Sequence, residues 1–431
     1  MPDRSYPLFH ADGSPRELGR AHGEQAADRI AAFLDNLSST LRSGATGSLS
    51  ARAESTLAGK PPVAPHSGKP PVAARESLRS RALRFRPLFA QHCPHLLEEI
   101  NGLAEGAKID PADALAVQLR GELAQLRNED QLRDEACTTF VIGPRGTADG
   151  RVLIGQTSDT PPEFEDFGYV LHLVPDGRPE LLMWTFGGMI GYHGVNRHGV
   201  AHFANALGGG PAWKFALSHY PLKRMMLEQK SVGDVMALMR RVPVCSNGNY
   251  VLCDGAGHIV DVELTSGGPE AIDDAGAGFI AHSNHFLCAP HACRENFEQG
   301  LADSFPRLER MRSLIREKFG SITVDDMKAF LSDHAGHPSS ICRHPQTQTG
   351  MSVLRNEGCH ARIAQQGGNV IVTPNDHHAV AEPRACHPAA SPMLGPSGKT
   401  VAALIAEPAR GVLHVAQGNP CENSFVEYSL R

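Results

Sequence analysis

The sequence predicts an α+β fold, with antiparallel sheets and helices packed outside them. Three observations carry that expectation. The first 135 residues have mainly helical periodicity, strand pairs flanking turn residues begin at Cys137, and helical stretches fall between those hairpins instead of alternating with single strands.

In chain order, Leu18, Ile30, Phe33, Leu34, Leu37 and Leu41 lie within Glu17 to Arg42, and over its second half they recur at spacings of three and four, as one buried helix face requires. Between Ser43 and Arg75 the pattern vanishes. There Gly59-Lys60-Pro61-Pro62-Val63-Ala64 recurs as Gly68-Lys69-Pro70-Pro71-Val72-Ala73, which reads as a Pro-rich surface insertion. Asp110-Pro111 is an N-cap and first-turn pair, followed by Leu115, Leu119, Leu123 and Leu126 on one face. Three hairpins follow. Thr138 to Gly143 and Arg151 to Gln156 flank Asp149-Gly150, and Asn249 to Cys253 and His258 to Leu264 flank Asp254-Gly255-Ala256-Gly257. Val401 to Ala406 and Gly411 to Ala416 flank Glu407-Pro408-Ala409-Arg410. Helices are expected at Ser231 to Arg241 and Thr323 to Asp333, the second with Val324, Met327, Phe330 and Leu331 on one side. Residues 346–398, rich in Gly, Pro, His and Gln, read as an irregular insertion.

Composition narrows the function class. Hydrophobic residues make up 41% and charged residues 20%, enough for a large core and against wholesale disorder. The net charge of −6, from 41 Lys+Arg and 47 Asp+Glu, gives no case for nucleic acid or an anionic membrane as partner. The N-terminal stretch has no apolar core of signal-peptide length, and no run of 18 apolar residues occurs. A soluble cytoplasmic protein is therefore expected, with its ten cysteines mostly free thiols.

One junction stands out by position. Cys137 opens the first convincing strand, directly after the polar segment Asp134-Glu135 that ends the helical region. A strand start at a sheet edge can make a thiol both fixed and accessible, whereas most cysteines are simply small buried residues.

The run Ala136-Cys137-Thr138-Thr139-Phe140, followed by Gly155-Gln156-Thr157-Ser158-Asp159, resembles the acyl-CoA:6-aminopenicillanic acid acyltransferase family, the self-processing N-terminal-nucleophile hydrolases of peptidase family C45. Four further segments agree in order. They are Leu18-Gly19-Arg20-Ala21-His22-Gly23; Gly194-Val195-Asn196-Arg197-His198-Gly199-Val200 with Asn205-Ala206-Leu207; His282-Ser283-Asn284-His285-Phe286; and Pro338-Ser339-Ser340-Ile341-Cys342-Arg343. The resemblance covers most of the chain outside 43–75 and 346–398.

This resemblance implies a four-layer αββα sandwich and a proenzyme that cuts itself at Ala136–Cys137. The fragments, residues 1–136 and 137–431, would stay together as one interwoven domain and form a heterodimer. An N-terminal Cys has its own α-amine as general base, with a reference pKa of about 7.7–8.0, whereas an internal Cys has none. By matched position, Cys137 is the nucleophile, Asp159 orients its amine, Asn284 donates to the oxyanion, and Arg343 holds Asp159 or a substrate carboxylate. Thr139 would assist the cleavage step. The expected partner is a small acylated substrate; no cofactor and no metal are implied, although acyl-CoA is a possible acyl donor.

Two departures matter. Ala136 stands where the fungal enzyme has Gly, and its Cβ restricts the strained conformations that favour self-cleavage. Thr157-Ser158 replace the Asn-Trp before the family's strand-end Asp, so the substrate-side wall differs, which weighs against penicillin chemistry more than against the reaction type. Two alternatives compete with this reading. The 22 His include dense groups at His282, His285, Cys288, His291 and Cys293, and at His377, His378, Cys386 and His387, suited to zinc; yet no C-x-x-C or H-E-x-x-H occurs. The other is a non-catalytic scaffold that keeps the fold with an unreactive Cys137.

Overall fold

The computed structural model describes residues 4–46, 72–125, 136–208, 210–288, 303–345 and 398–431. Within them, fourteen strands form two sheets. The larger has the order β1 (Leu8–Gly13), β4 (Gly168–Pro175), β5 (Leu181–Phe186), β6 (His193–Asn196), β7 (Ala201–Ala206), β8 (Gly248–Cys253), β9 (Ile259–Thr265), β10 (Gly268–Ile272). The smaller has the order β11 (Phe279–His282), β2 (Ala136–Ile142), β3 (Leu153–Thr160), β12 (Lys399–Glu407), β13 (Val412–Gln417), β14 (Phe425–Ser429). Neighbours run antiparallel except β1 with β4.

The sheets face each other through contacts of β2 with β7 and β8 and of β3 with β7. Helices cover the outer faces. Ser304–Lys318 lies on β2 and β11, and Val324–Leu331 on β3 and β12; across the sandwich, Pro15–Thr46 lies on β1 and β4, and Val232–Arg241 on β9 and β10. This is the expected four-layer αββα sandwich. Strand alternation divides the core accordingly: Val141 and Ile154 join the cluster between the sheets, while Phe140 and Ile142 pack with Met311, Ile315, Met327 and Phe330 beneath the helices. All seven residues of β2 are buried, as a strand covered on both faces requires.

The three expected hairpins and both expected helices are present with small boundary shifts. Ser231 caps Val232–Arg241 by accepting from the Asp234 N–H, and Thr323 forms a capping box with Asp326 at the start of Val324–Leu331. Three details differ from the sequence reading. A strand, β1, precedes the first helix and joins the larger sheet beside β4, so the N-terminal region is not all helical. The helical stretch after Asp110 breaks into Pro111–Val117 and Arg120–Gln125, with Arg120 at φ 24°. That break places the Arg120 guanidinium over the rings of Phe164 and Phe186, 4.6 and 5.4 Å from their centroids. Leu115, Leu119 and Leu123 are buried as expected, whereas Leu126 lies outside the described residues. Finally, helix extends to Thr46 and resumes at Val72, so the edges of the first expected insertion are helical. Residues 47–71, with most of the repeat, and 346–397 lie outside the described residues.

The Gly19…Gly23 segment has a packing role. Helix Pro15–Thr46 meets helix Pro94–Ala107 through Gly19, Gly23, Gly102 and Gly106. A Cβ added at Gly19 would lie 1.8 Å from the Glu99 carbonyl oxygen, and one at Gly102 would lie 2.1 Å from that of Arg16. His22 is fully buried on the same helix, its Nε2 2.6 Å from the Tyr169 hydroxyl, and burial lowers its pKa to about 3. Gly19→Ala is therefore expected to force the helices apart and to cost about 3 kcal/mol, measured by urea denaturation.

Candidate active site

β2 and β3 place the predicted residues side by side. In their ladder Ala136 faces Asp159 and Cys137 faces Ser158. Alternation aims Cys137 and Thr139 into the space between the sheets, where the Thr139 hydroxyl donates to Asn205 Oδ1 on β7. Thr138 takes the opposite face, towards helix Ser304–Lys318.

The Cys137 backbone is held at both its polar groups. Its N–H donates to Asn284 Oδ1 at 3.1 Å, and its carbonyl accepts from Arg307 Nη1 at 2.7 Å. Arg307 is fully buried and also donates to Thr138 Oγ1 (2.8 Å), Asn284 Oδ1 (2.7 Å) and Asp303 Oδ2 (3.1 Å). Two donors converge on Asn284 Oδ1 while its Nδ2 donates to the Ala206 carbonyl at 2.9 Å, so neighbours on both sides fix the amide's orientation. Asn284 thus presents its oxygen to the Cys137 N–H, and its Nδ2 donates to Ala206.

Asp159 is fully buried. Its Oδ1 accepts from Thr400 Oγ1 at 2.7 Å, and Oδ2 has no hydrogen-bond partner among the described residues. Burial raises its pKa to about 6 against the pull of Arg343 and Arg307. Thr400 Oγ1 accepts in turn from the Arg343 N–H at 2.9 Å. Arg343 does not clasp Asp159 in an ion pair; its Nη2 meets Asp303 Oδ2 at 3.0 Å, and it acts on Asp159 through space. Two arginines thus share Asp303 and leave a half-satisfied carboxylate opposite the Ala136–Cys137 bond.

The thiol's other neighbours carry no motif. Burial, reinforced by the Asp159 charge, raises the Cys137 pKa to about 11. Lys223, on helix His219–Met226, is buried within electrostatic reach of that thiol, its Nζ 4.3 Å from the ring centroid of Tyr192 and 5.3 Å from that of Tyr220. Burial lowers its pKa to about 7, against an upward pull from Cys137. Arg307, Asp303, Thr400 and Lys223 escape sequence reasoning because each is an ordinary polar residue of its element.

Of the first His/Cys group, His282 is engaged in the fold: its Nε2 pairs with Glu263 Oε1 at 3.1 Å, and Glu263 also accepts from the Cys288 N–H. His291, Cys293 and the group at 377–387 lie outside the described residues.

The chain is similar to several known proteins. A family model described as acyl-coenzyme A:6-aminopenicillanic acid acyl-transferase matches residues 146–352. The 40 kDa form of acyl-coenzyme A:6-aminopenicillanic-acid-acyltransferase from Emericella nidulans is 26% identical over 336 residues, 77% of this chain and 83% of that protein. Among solved structures, a conjugated bile acid hydrolase from Clostridium perfringens is similar at a TM-score of 0.40 and 11% identity, over 68% of this chain and 97% of that one. Penicillin V acylase from Agrobacterium tumefaciens matches at 0.38 and 12%, over 65% of this chain and 83% of that one.

Proposed function

We propose that the chain belongs to the acyl-coenzyme A:6-aminopenicillanic acid acyl-transferase family, whose model matches residues 146–352, and that it is a self-cleaving N-terminal-cysteine enzyme whose Cys137 takes up the acyl group of a small N-acyl amide or acyl-CoA. The observation that carries this reading is the pairing of Ala136 with Asp159 across the β2–β3 ladder, with both backbone polar groups of Cys137 already held. An amine released at Cys137 would emerge beside a buried carboxylate.

In the first step the Cys137 sulfur attacks the Ala136 carbonyl carbon and the Ala136–Cys137 C–N bond breaks. The nitrogen keeps its own hydrogen and gains the proton given up by the thiol, becoming the α-amine, and water then hydrolyses the thioester to leave a carboxylate on Ala136 and a free thiol on Cys137. A thiol with a pKa of about 11 is protonated at neutral pH, and before the cut no α-amine exists to accept its proton. We assign the acceptance of that proton to Lys223, which is buried, electrostatically coupled to the thiol and lowered to a pKa of about 7. Lys223→Met is expected to slow self-cleavage about 10²-fold, and Lys223→Arg to fail to rescue it, because a guanidinium does not give up its proton. A time course of intact chain after synthesis in vitro checks both.

After the cut the α-amine deprotonates the thiol, and Asp159 holds the resulting ammonium. The acyl thioester passes to water in a hydrolase or to an amine in a transferase, and the two fragments remain one interwoven unit. Asp159 is protonated below about pH 6 and ionised above it, so activity should rise with pH through that value and again as the amine loses its proton near 7.7–8.0. The new ammonium favours the ionised carboxylate and moves the lower limb down. Asp159→Asn is expected to abolish the lower limb and to reduce kcat/KM by about 10²-fold, as a pH–rate profile would measure.

The test of function is a panel of N-acyl amino acids, dipeptides and acyl-CoAs, with rapid quenching and mass analysis of the 137–431 fragment. An added acyl mass on Cys137 that hydroxylamine removes supports the proposal. An acyl group found on another residue during turnover contradicts it.

A further inference from the structure

Away from Cys137, four soft ligands converge at the outer end of the smaller sheet. His334 follows helix Val324–Leu331, Cys342 and His344 flank Arg343, and Cys421 lies in the turn between β13 and β14. One ligand atom from each side chain lies within 4.8 Å of the other three. The two Nε2 atoms of His334 and His344 are 3.0 Å apart, and the two sulfurs 3.6 Å. His344 Nε2 lies 3.2 Å from Cys421 Sγ and 3.8 Å from Cys342 Sγ.

Those separations fit the edges of a tetrahedron around one small cation. Zn–S bonds of about 2.3 Å and Zn–N bonds of about 2.0–2.1 Å give edges of about 3.8 Å between sulfurs and about 3.3 Å between nitrogens. The surroundings fit as well. The Asn419 Nδ2 lies 3.4 Å from Cys342 Sγ, as a donor to a thiolate would, and His344 turns its Nδ1 towards Glu422 Oε1 at 3.6 Å. A carboxylate behind the far nitrogen of a ligating histidine orients the ring and raises its basicity.

We propose that His334, Cys342, His344 and Cys421 form a structural Cys₂His₂ zinc site. On binding, Zn²⁺ replaces the two thiol protons, which leave to solvent, and both imidazoles ligate in their neutral form, giving a site of zero net charge. Two thiolates with two imidazoles suit zinc and leave no open position for catalysis. None of these four belongs to the dense groups singled out in the sequence at 282–293 and 377–387.

The site would staple the Arg343 loop to the β13–β14 turn. Asn419 Nδ2 already donates to the Arg343 carbonyl at 2.6 Å, and Arg343 meets Asp303, the partner of Arg307. Zinc would thereby act as a positioning element for the Cys137 backbone without touching the thiol. It is compatible with thiol chemistry, and its ligands do not include Cys137.

Metal analysis of full-length protein purified without chelator tests the proposal, and Co²⁺ substitution supplies the spectroscopic signature. The expected result is about one zinc per chain, a tetrahedral cobalt spectrum with a thiolate charge-transfer band, and loss of both in Cys421→Ser and in His334→Ala, each with a lowered Tm. Cys137→Ala should retain the metal. Zinc below about a tenth of an equivalent after reconstitution, zinc unchanged in Cys421→Ser, or a Cys342–Cys421 disulfide in the protein as purified would each overturn it.

Discussion

Cys137→Ala is expected to yield one uncut chain of 431 residues and to lower acyl-transfer and amidase activity by about 10³-fold or more. Under the proposed mechanism the substitution removes the sulfur that would carry the acyl group, and it also prevents release of the amine that would act as base. Because the side chain is small and buried, the change should leave the fold intact, which circular dichroism and the melting temperature would check. Cys137→Ser separates the two roles. A hydroxyl with the same neighbours is a far weaker nucleophile, so slow cleavage with little turnover is expected.

Arg307→Met carries the second large effect. Arg307 is buried and donates to Cys137 O, Thr138 Oγ1, Asn284 Oδ1 and Asp303, so its loss leaves three oxygen acceptors short of a donor and Asp303 paired with Arg343 alone. Removing one partner from a buried charged network costs about 3–5 kcal/mol. Asn284 Oδ1 would also lose one of the two donors that hold its orientation, and the Cys137 carbonyl would lose its bond from Arg307. Self-cleavage should slow by about 10²-fold, beyond the effect on stability. Arg307→Lys preserves the charge without the planar fork, so it should recover stability more than cleavage; the split between denaturation midpoint and cleavage rate checks this.

How much of this was legible in the sequence follows from where the information resides. Cys137, Asp159, Asn284 and Arg343 sit in recognisable runs, and the β2–β3 hairpin that pairs Ala136 with Asp159 is visible as two strand segments around Asp149-Gly150. Their hydrogen-bond partners were not legible. Arg307 lies in a helix that also carries Arg310, Arg312 and Arg316, and only its place over β2 distinguishes it from those cations. Lys223 likewise precedes Arg224 in a short helix, and nothing local shows that the ammonium lies under Tyr192. The Cys₂His₂ group draws Cys421 from a turn 77 residues beyond His344, a separation no local spacing rule covers. The glycines at 19 and 23 were legible as a motif, while their purpose, close backbone contact with Gly102 and Gly106, required the packed helices.

Intact-mass spectrometry of the purified wild-type protein tests self-cleavage at Ala136–Cys137. Two co-purifying chains are expected, one ending at Ala136 and the other beginning at Cys137 with a free α-amine. A single uncut chain with full activity would contradict it.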